Sequence, residues 1–111
     1  MKKGKGYKEF FERHISIIKK EGLTCKECGC KLKGSVREIA HILPKSYFKS
    51  ISKNDKNIIY LCEEHHTEFD NRSNDFVKSM KIFPEVTERF KQLEQIIEEE
   101  INYKIYDRWE I

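Results

Sequence analysis

The chain has 111 residues, 37% of them charged and 38% hydrophobic, with a formal net charge of +3 at neutral pH. That length suits a single domain that buries only about two-thirds of its unfolded surface, so the apolar core is thin and a metal staple is an expected folding aid. No apolar run is long enough to span a membrane, and so small a net charge excludes a chain that is basic throughout.

The charge is unevenly spread, at +5 over residues 1–20 and −4 over residues 85–111. Residues 1–6 are mostly lysine and glycine and read as a flexible basic arm. No apolar run follows the N-terminal lysines, so no signal peptide is expected and the compartment should be cytoplasmic and reducing. From Tyr7 to Lys20, the residues Tyr7, Phe11, His14 and Ile18 recur at helical spacing, and Gly22 is a stop signal. On that stripe His14 reads as packing rather than chemistry.

Residues 23–36 hold Cys25 and Cys28 and a turn at Gly34, and a short strand from Arg37 to Ile42 carries His41. The segment Leu43 to Asn57 is rich in Ser, Asn, Asp and Pro and reads as a loop. It is long for a plain hairpin, as expected where a loop carries function. Ile58 to Leu61 is the returning strand, and Cys62 opens a helix reaching about Asn71. After Pro84, the residues Val86, Phe90, Leu93, Ile97, Ile101 and Ile105 form one helical stripe, with Glu98, Glu99 and Glu100 largely off it. An acidic amphipathic helix over 85–108 is therefore expected, packed on the rest of the chain. A monomer is the main expectation, and a dimer formed through this helix the lesser one. Tyr103, Tyr106 and Trp109 are either core lids or an exposed patch.

If residues 62–71 are helical, Cys62 and His65 share one face, while His66 and Asp70 share another about 100° away. The first face joins Cys25 and Cys28 in a Cys3His set suited to tetrahedral zinc. Gly29 after Cys28 fits such a knuckle, where the backbone often needs positive φ. Cys30 breaks the spacing and reads as a bystander. Pairing of Cys62 with His66 is the alternative, and disulfides are the weaker rival in a reducing compartment. The second face offers one nitrogen and one carboxylate, a set suited to Mg2+, Mn2+ or a late transition metal with positions left for water and substrate.

The run Ala40-His41-Ile42-Leu43-Pro44-Lys45-Ser46, then Asn57-Ile58-Ile59-Tyr60-Leu61-Cys62-Glu63-Glu64-His65-His66, ending in Glu68-Phe69-Asp70, resembles the HNH endonuclease family. His41, Asn57 and His66 supply the three letters, and the nine-residue step from Asn57 to His66 matches the family spacing. The cysteine pairs look like its zinc-bound subclass, with His65 where a fourth cysteine is more common. The likeness covers about residues 23–72.

The resemblance implies an α+β fold: a small zinc-stapled ββα-metal core flanked by N- and C-terminal helices. One domain over 1–111 is expected, with the arm and helix in 1–22, the core in 23–72 and the acidic helix in 85–108. It also implies a metal-dependent nuclease that nicks double-stranded DNA and leaves 5′-phosphate and 3′-hydroxyl ends. His41 would be the general base, Asn57 would hold the hairpin loop so that the imidazole is aimed, and His66 with Asp70 would bind the catalytic metal. Many family members carry Asp or His where this chain has Ala40, so Glu38, on the same side of the strand, is a further candidate ligand. Lys31, Lys33, Arg37, Lys45 and Lys49, together with the arm lysines, are the candidate phosphate contacts. The rival expectation is a zinc-stapled nucleic-acid-binding module without catalysis. A structural adaptor using the acidic helix comes third.

Overall fold

A computed structural model describes residues 6–43 and 51–97. Its elements in chain order are helix α1 (Tyr7–Glu21), a 3-10 turn (Val36–Glu38), strand β1 (Ile39–His41), a second 3-10 turn (Asp55–Asn57), strand β2 (Ile58–Tyr60), and helices α2 (Glu63–Asn71), α3 (Asn74–Lys78) and α4 (Phe83–Ile97). The fold is a small α+β arrangement with one two-stranded hairpin. The chain divides into two compact units, residues 1–40 with 60–71 and residues 41–59 with 72–111.

In the first unit, α1 stops where Gly22 adopts a left-handed conformation and returns its N–H to the Ile18 carbonyl. Its buried face is Phe10, His14 and Ile18, while Tyr7 and Phe11 are half-buried. The stripe is thus turned from the one expected, because adjacent phenylalanines at 10 and 11 offer two equally spaced faces. His14 is a packing residue: Nδ1 lies 2.5 Å from the Tyr60 hydroxyl, and the ring meets Phe10 edge-on at 4.7 Å. After α1 the chain makes a narrow antiparallel loop, with a bridge from Thr24 to Lys31 and a Leu32 N–H to Leu23 carbonyl bond of 3.1 Å. The Lys26 N–H ties this loop to the Tyr60 carbonyl at 3.1 Å.

The strand expected over 37–42 is shorter, because residues 36–38 form a 3-10 turn instead. Ser35 and Glu38 close a capping box around it, each side chain bonded to the other end's backbone. The hairpin is antiparallel: Leu61 N–H bonds the Glu38 carbonyl at one end, and Ile42 N–H bonds the Asn57 carbonyl at the other. Helix α2 begins one residue after Cys62, whose carbonyl accepts the His66 N–H at 2.8 Å. It is anchored by Phe69, which is fully buried.

In the second unit, the turn Asp55–Asn57 is capped by the Asn54 side chain and packs against α4. The short helix α3, which sequence periodicity does not reveal, is capped by Ser73 on the Phe76 N–H. Along α4, Val86, Phe90 and Leu93 are buried as the stripe requires. Its continuation through Ile101 and Ile105, the aromatic residues Tyr103, Tyr106 and Trp109, the basic arm, Lys45 and Lys49 lie outside the described residues.

Candidate metal centre and active site

In the first unit, the loop after α1 and the start of α2 bring four donors together. Cys25, Cys28, Cys62 and His65 place one ligand atom each within 4.8 Å of one another. The Sγ atoms of Cys28 and Cys62 are 4.0 Å apart, and His65 Nδ1 is 3.8 Å from Cys25 Sγ and 3.2 Å from Cys62 Sγ. A zinc tetrahedron, with bonds of about 2.3 Å to sulfur and about 2.0 Å to nitrogen, has edges of roughly 3.5–3.8 Å. The three separations given lie within about 0.4 Å of those edges and all four donors within 4.8 Å, and three thiols with an imidazole are a donor set suited to zinc.

The local backbone explains the arrangement. Gly29 takes φ 83° and returns its N–H to the Cys25 carbonyl at 2.8 Å, while the Glu27 N–H points at Cys25 Sγ from 3.4 Å. Burial first, then the neighbouring Cys25 and Cys28 thiols, push the Cys62 thiol up to about 12. A bound cation would reverse that, since it favours the thiolate. Cys30 is outside the set of four and contributes its carbonyl to the Cys25 N–H. The alternative pairing of Cys62 with His66 is not the one formed.

His66 lies on the other face of α2. Its Nδ1 donates to the Arg37 carbonyl at 2.6 Å, and its Nε2 lies 3.1 Å from Asp70 Oδ2. Both ring nitrogens therefore face acceptors. Such a ring is either an imidazolium or a metal ligand through Nε2, with Nδ1–H fixed from behind. Burial opposes the charged ring, but Asp70 and the Arg37 carbonyl outweigh it and raise the pKa above the ordinary value. The 3.1 Å separation also fits neighbouring corners of an octahedral shell, whose edge is about 3.0 Å for bonds near 2.1 Å. The pair borders a cavity of about 580 Å³ that Arg37, Glu63 and Thr67 also line. The Arg37 guanidinium rests on Glu63 at 3.0 Å with both side chains largely exposed, a contact worth little to stability.

Glu38 has a different task. It is 4% exposed, and its carboxylate accepts the N–H groups of Lys33, Gly34 and Ser35 at 2.8–3.1 Å. Burial alone would raise its pKa, but these bonds and the Lys33 charge hold it below the usual carboxylate value. Both oxygens are thus engaged in shaping the turn that precedes β1. Ala40 is fully buried and offers no donor. Lys31 and Lys33 are exposed on the knuckle.

In the second unit, His41 is half-buried at the end of β1, with Nε2 2.9 Å from the Ser52 carbonyl. A carbonyl only accepts, so Nε2 carries the proton and the lone pair of the neutral ring is on Nδ1. Asn57 is fully buried and holds both polar groups of one residue: Oδ1 accepts the Leu43 N–H at 2.7 Å, and Nδ2 donates to the Leu43 carbonyl at 3.0 Å. Sequence reasoning missed Ser52, Leu43 and the Arg37 carbonyl, because main-chain acceptors carry no residue-type signal.

A hairpin leading into a helix beside a Cys3His cluster defines a small α+β domain. Residues 25–74, a little under half of the chain, match the family model described as HNH endonuclease, and that segment is similar to the family. No curated protein and no solved structure matches the chain. Among the described residues, no helix is long and apolar enough to cross a membrane.

Proposed function

We propose that the protein is a metal-dependent endonuclease that hydrolyses phosphodiester bonds of DNA, nicking one strand of a duplex at a time. The observation that carries this reading is the opposite tethering of the two family histidines. His41 is held by a carbonyl at Nε2 and His66 by a carbonyl at Nδ1, so each has a defined nitrogen for a different task.

His41 Nδ1 would take the proton of the attacking water, a task for which imidazole has a suitable pKa. Asn57 would keep the strand end that bears His41 in place through its two bonds to Leu43. His66 Nε2 and the Asp70 carboxylate would hold one divalent cation, Mg2+, Mn2+ or Ni2+. When bound, that ion supplies positive charge for the scissile phosphate and the departing 3′-oxygen. Cys25, Cys28, Cys62 and His65 would hold a structural zinc. Lys31, Lys33 and Arg37, with Lys45 and Lys49, would line the phosphate path.

The deciding experiment incubates the protein with supercoiled plasmid and a panel of divalent metals. His41→Ala is expected to keep DNA binding and lose nicking by roughly 10²–10⁴-fold, the usual contribution of a positioned base. Nicking by His41→Ala at the parental rate would end this reading. A second reading, a zinc-stapled DNA-binding module without catalysis, is favoured by Ala40, where no donor replaces the family's acid or imidazole. DNA binding with no nicking under any metal would select it.

A further inference from the structure

The second unit holds an arginine beyond the segment matched to the family, and its target is the backbone around Asn57. From α4, Arg89 Nη1 donates to the Ile58 carbonyl and reaches the Lys56 carbonyl at 3.5 Å. These are the residues on either side of Asn57. Its second terminal nitrogen, Nη2, donates to Glu85 Oε2 at 2.7 Å, one turn earlier on the same helix. The side chains of Arg89 and Glu85 are 27% and 37% exposed, so the pair is partly shielded from water.

We propose that Arg89 is a positioning residue that sets His41 through Asn57. A continuous series of bonds supports it. Glu85 orients the guanidinium, and the guanidinium holds the carbonyls of the two residues either side of Asn57. Asn57 then grips Leu43 by both its N–H and its carbonyl, and its own carbonyl takes the Ile42 N–H. His41 is the next residue back along the strand. A carboxamide as short as that of Asn57 holds two bonds to one residue only if its own backbone is fixed. Arginine suits this work because its planar fork presents several donors in fixed directions. Charge-assisted bonds to carbonyls are also stronger than neutral ones.

The inference rests on the endonuclease reading for its kinetic arm but not for its spectroscopic one. Arg89→Met is compared with Lys91→Met, an exposed neighbour on α4, and with Glu85→Gln. In Arg89→Met, kcat for plasmid nicking is expected to fall ~10–100-fold with KM unchanged, the scale of a small misplacement of a reacting group. Glu85→Gln should fall less, and Lys91→Met not at all. Added guanidinium at low, non-denaturing concentration should restore part of the Arg89→Met rate. Ring ¹⁵N shifts should show the parental Nε2–H tautomer of His41 giving way to a mixture in Arg89→Met.

A parental kcat in folded Arg89→Met, or a fall in its rate with the His41 tautomer unchanged, overturns the proposal. If Arg89→Met does not fold, Glu85→Gln decides by the same two readouts. If the parent cuts nothing, the endonuclease reading fails instead, and an unchanged His41 tautomer in Arg89→Met would then overturn the positioning role.

Discussion

Glu38, a metal-ligand candidate by its spacing, has both carboxylate oxygens bonded to backbone N–H groups. Its pKa is held below the unfolded value, so its stabilisation is fully present above about pH 4.3 and is lost as pH falls through the folded value. Replacing it by Gln removes charge-assisted bonds to three N–H groups and should cost roughly 1–3 kcal/mol at neutral pH. The gap in Tm between parent and Glu38→Gln should stay constant from about pH 8 to 5 and narrow below about pH 4.5. A gap that does not narrow while both proteins remain folded would show that the turn does not discriminate the charged carboxyl. Ala40 gives the complementary prediction. Ala40→Asp buries a carboxylate that needs a partner, so its Tm should fall without divalent metal and recover when metal is added. If it nicks DNA, half-maximal rate should need less metal than the parent. Equal metal titrations would place the missing ligand elsewhere.

At the scale of elements, the knuckle and α2 depend on each other. A nine-residue helix is marginal alone, and here Cys62 just before it and His65 in its first turn are two of the four clustered donors. Chelation is expected to release about one zinc and abolish the fold of the first unit, as in other small metal-stapled domains. Cys25→Ser and Cys62→Ser should behave like chelated protein, whereas Cys30→Ser should bind zinc as the parent does. Metal analysis with circular dichroism on the four proteins checks this, and folded, zinc-free parent would refute it. Much of the geometry of this part was legible in the sequence, because side-chain spacing and helix caps are local: Cys25 to Cys28, Cys62 to His65, the contact of His66 with Asp70, Gly22 as a stop. The rest was less so. Ser35-Val36-Arg37-Glu38 is a capping-box pattern that went unread beneath the strand alternation. Helix α3 is too short for periodicity to register. Arg89 looks like any solvated arginine on a polar helix face, and its carbonyl partners are invisible to residue type.

Over the whole molecule, a net charge of +3 means that, on the proposed reading, attraction of DNA falls to local lysines. Lys31 and Lys33, both exposed, should each contribute one phosphate contact. Lys31→Ala with Lys33→Ala should therefore weaken binding of unrelated duplexes alike and flatten the slope of log affinity against log salt by about 2. An unchanged slope would move the phosphate path off the knuckle.

His65 and His66 are consecutive residues, one in the Cys3His cluster and the other paired with Asp70. On the proposed reading, a newly made chain would have no ordered α2 before zinc arrives, and so no fixed place for the ion that would offset charge on the phosphate. The order of events in biosynthesis would then be set by the chain itself. Acquisition of the first metal would license use of the second, and an unfinished copy would be harmless to the genome of the cell that makes it.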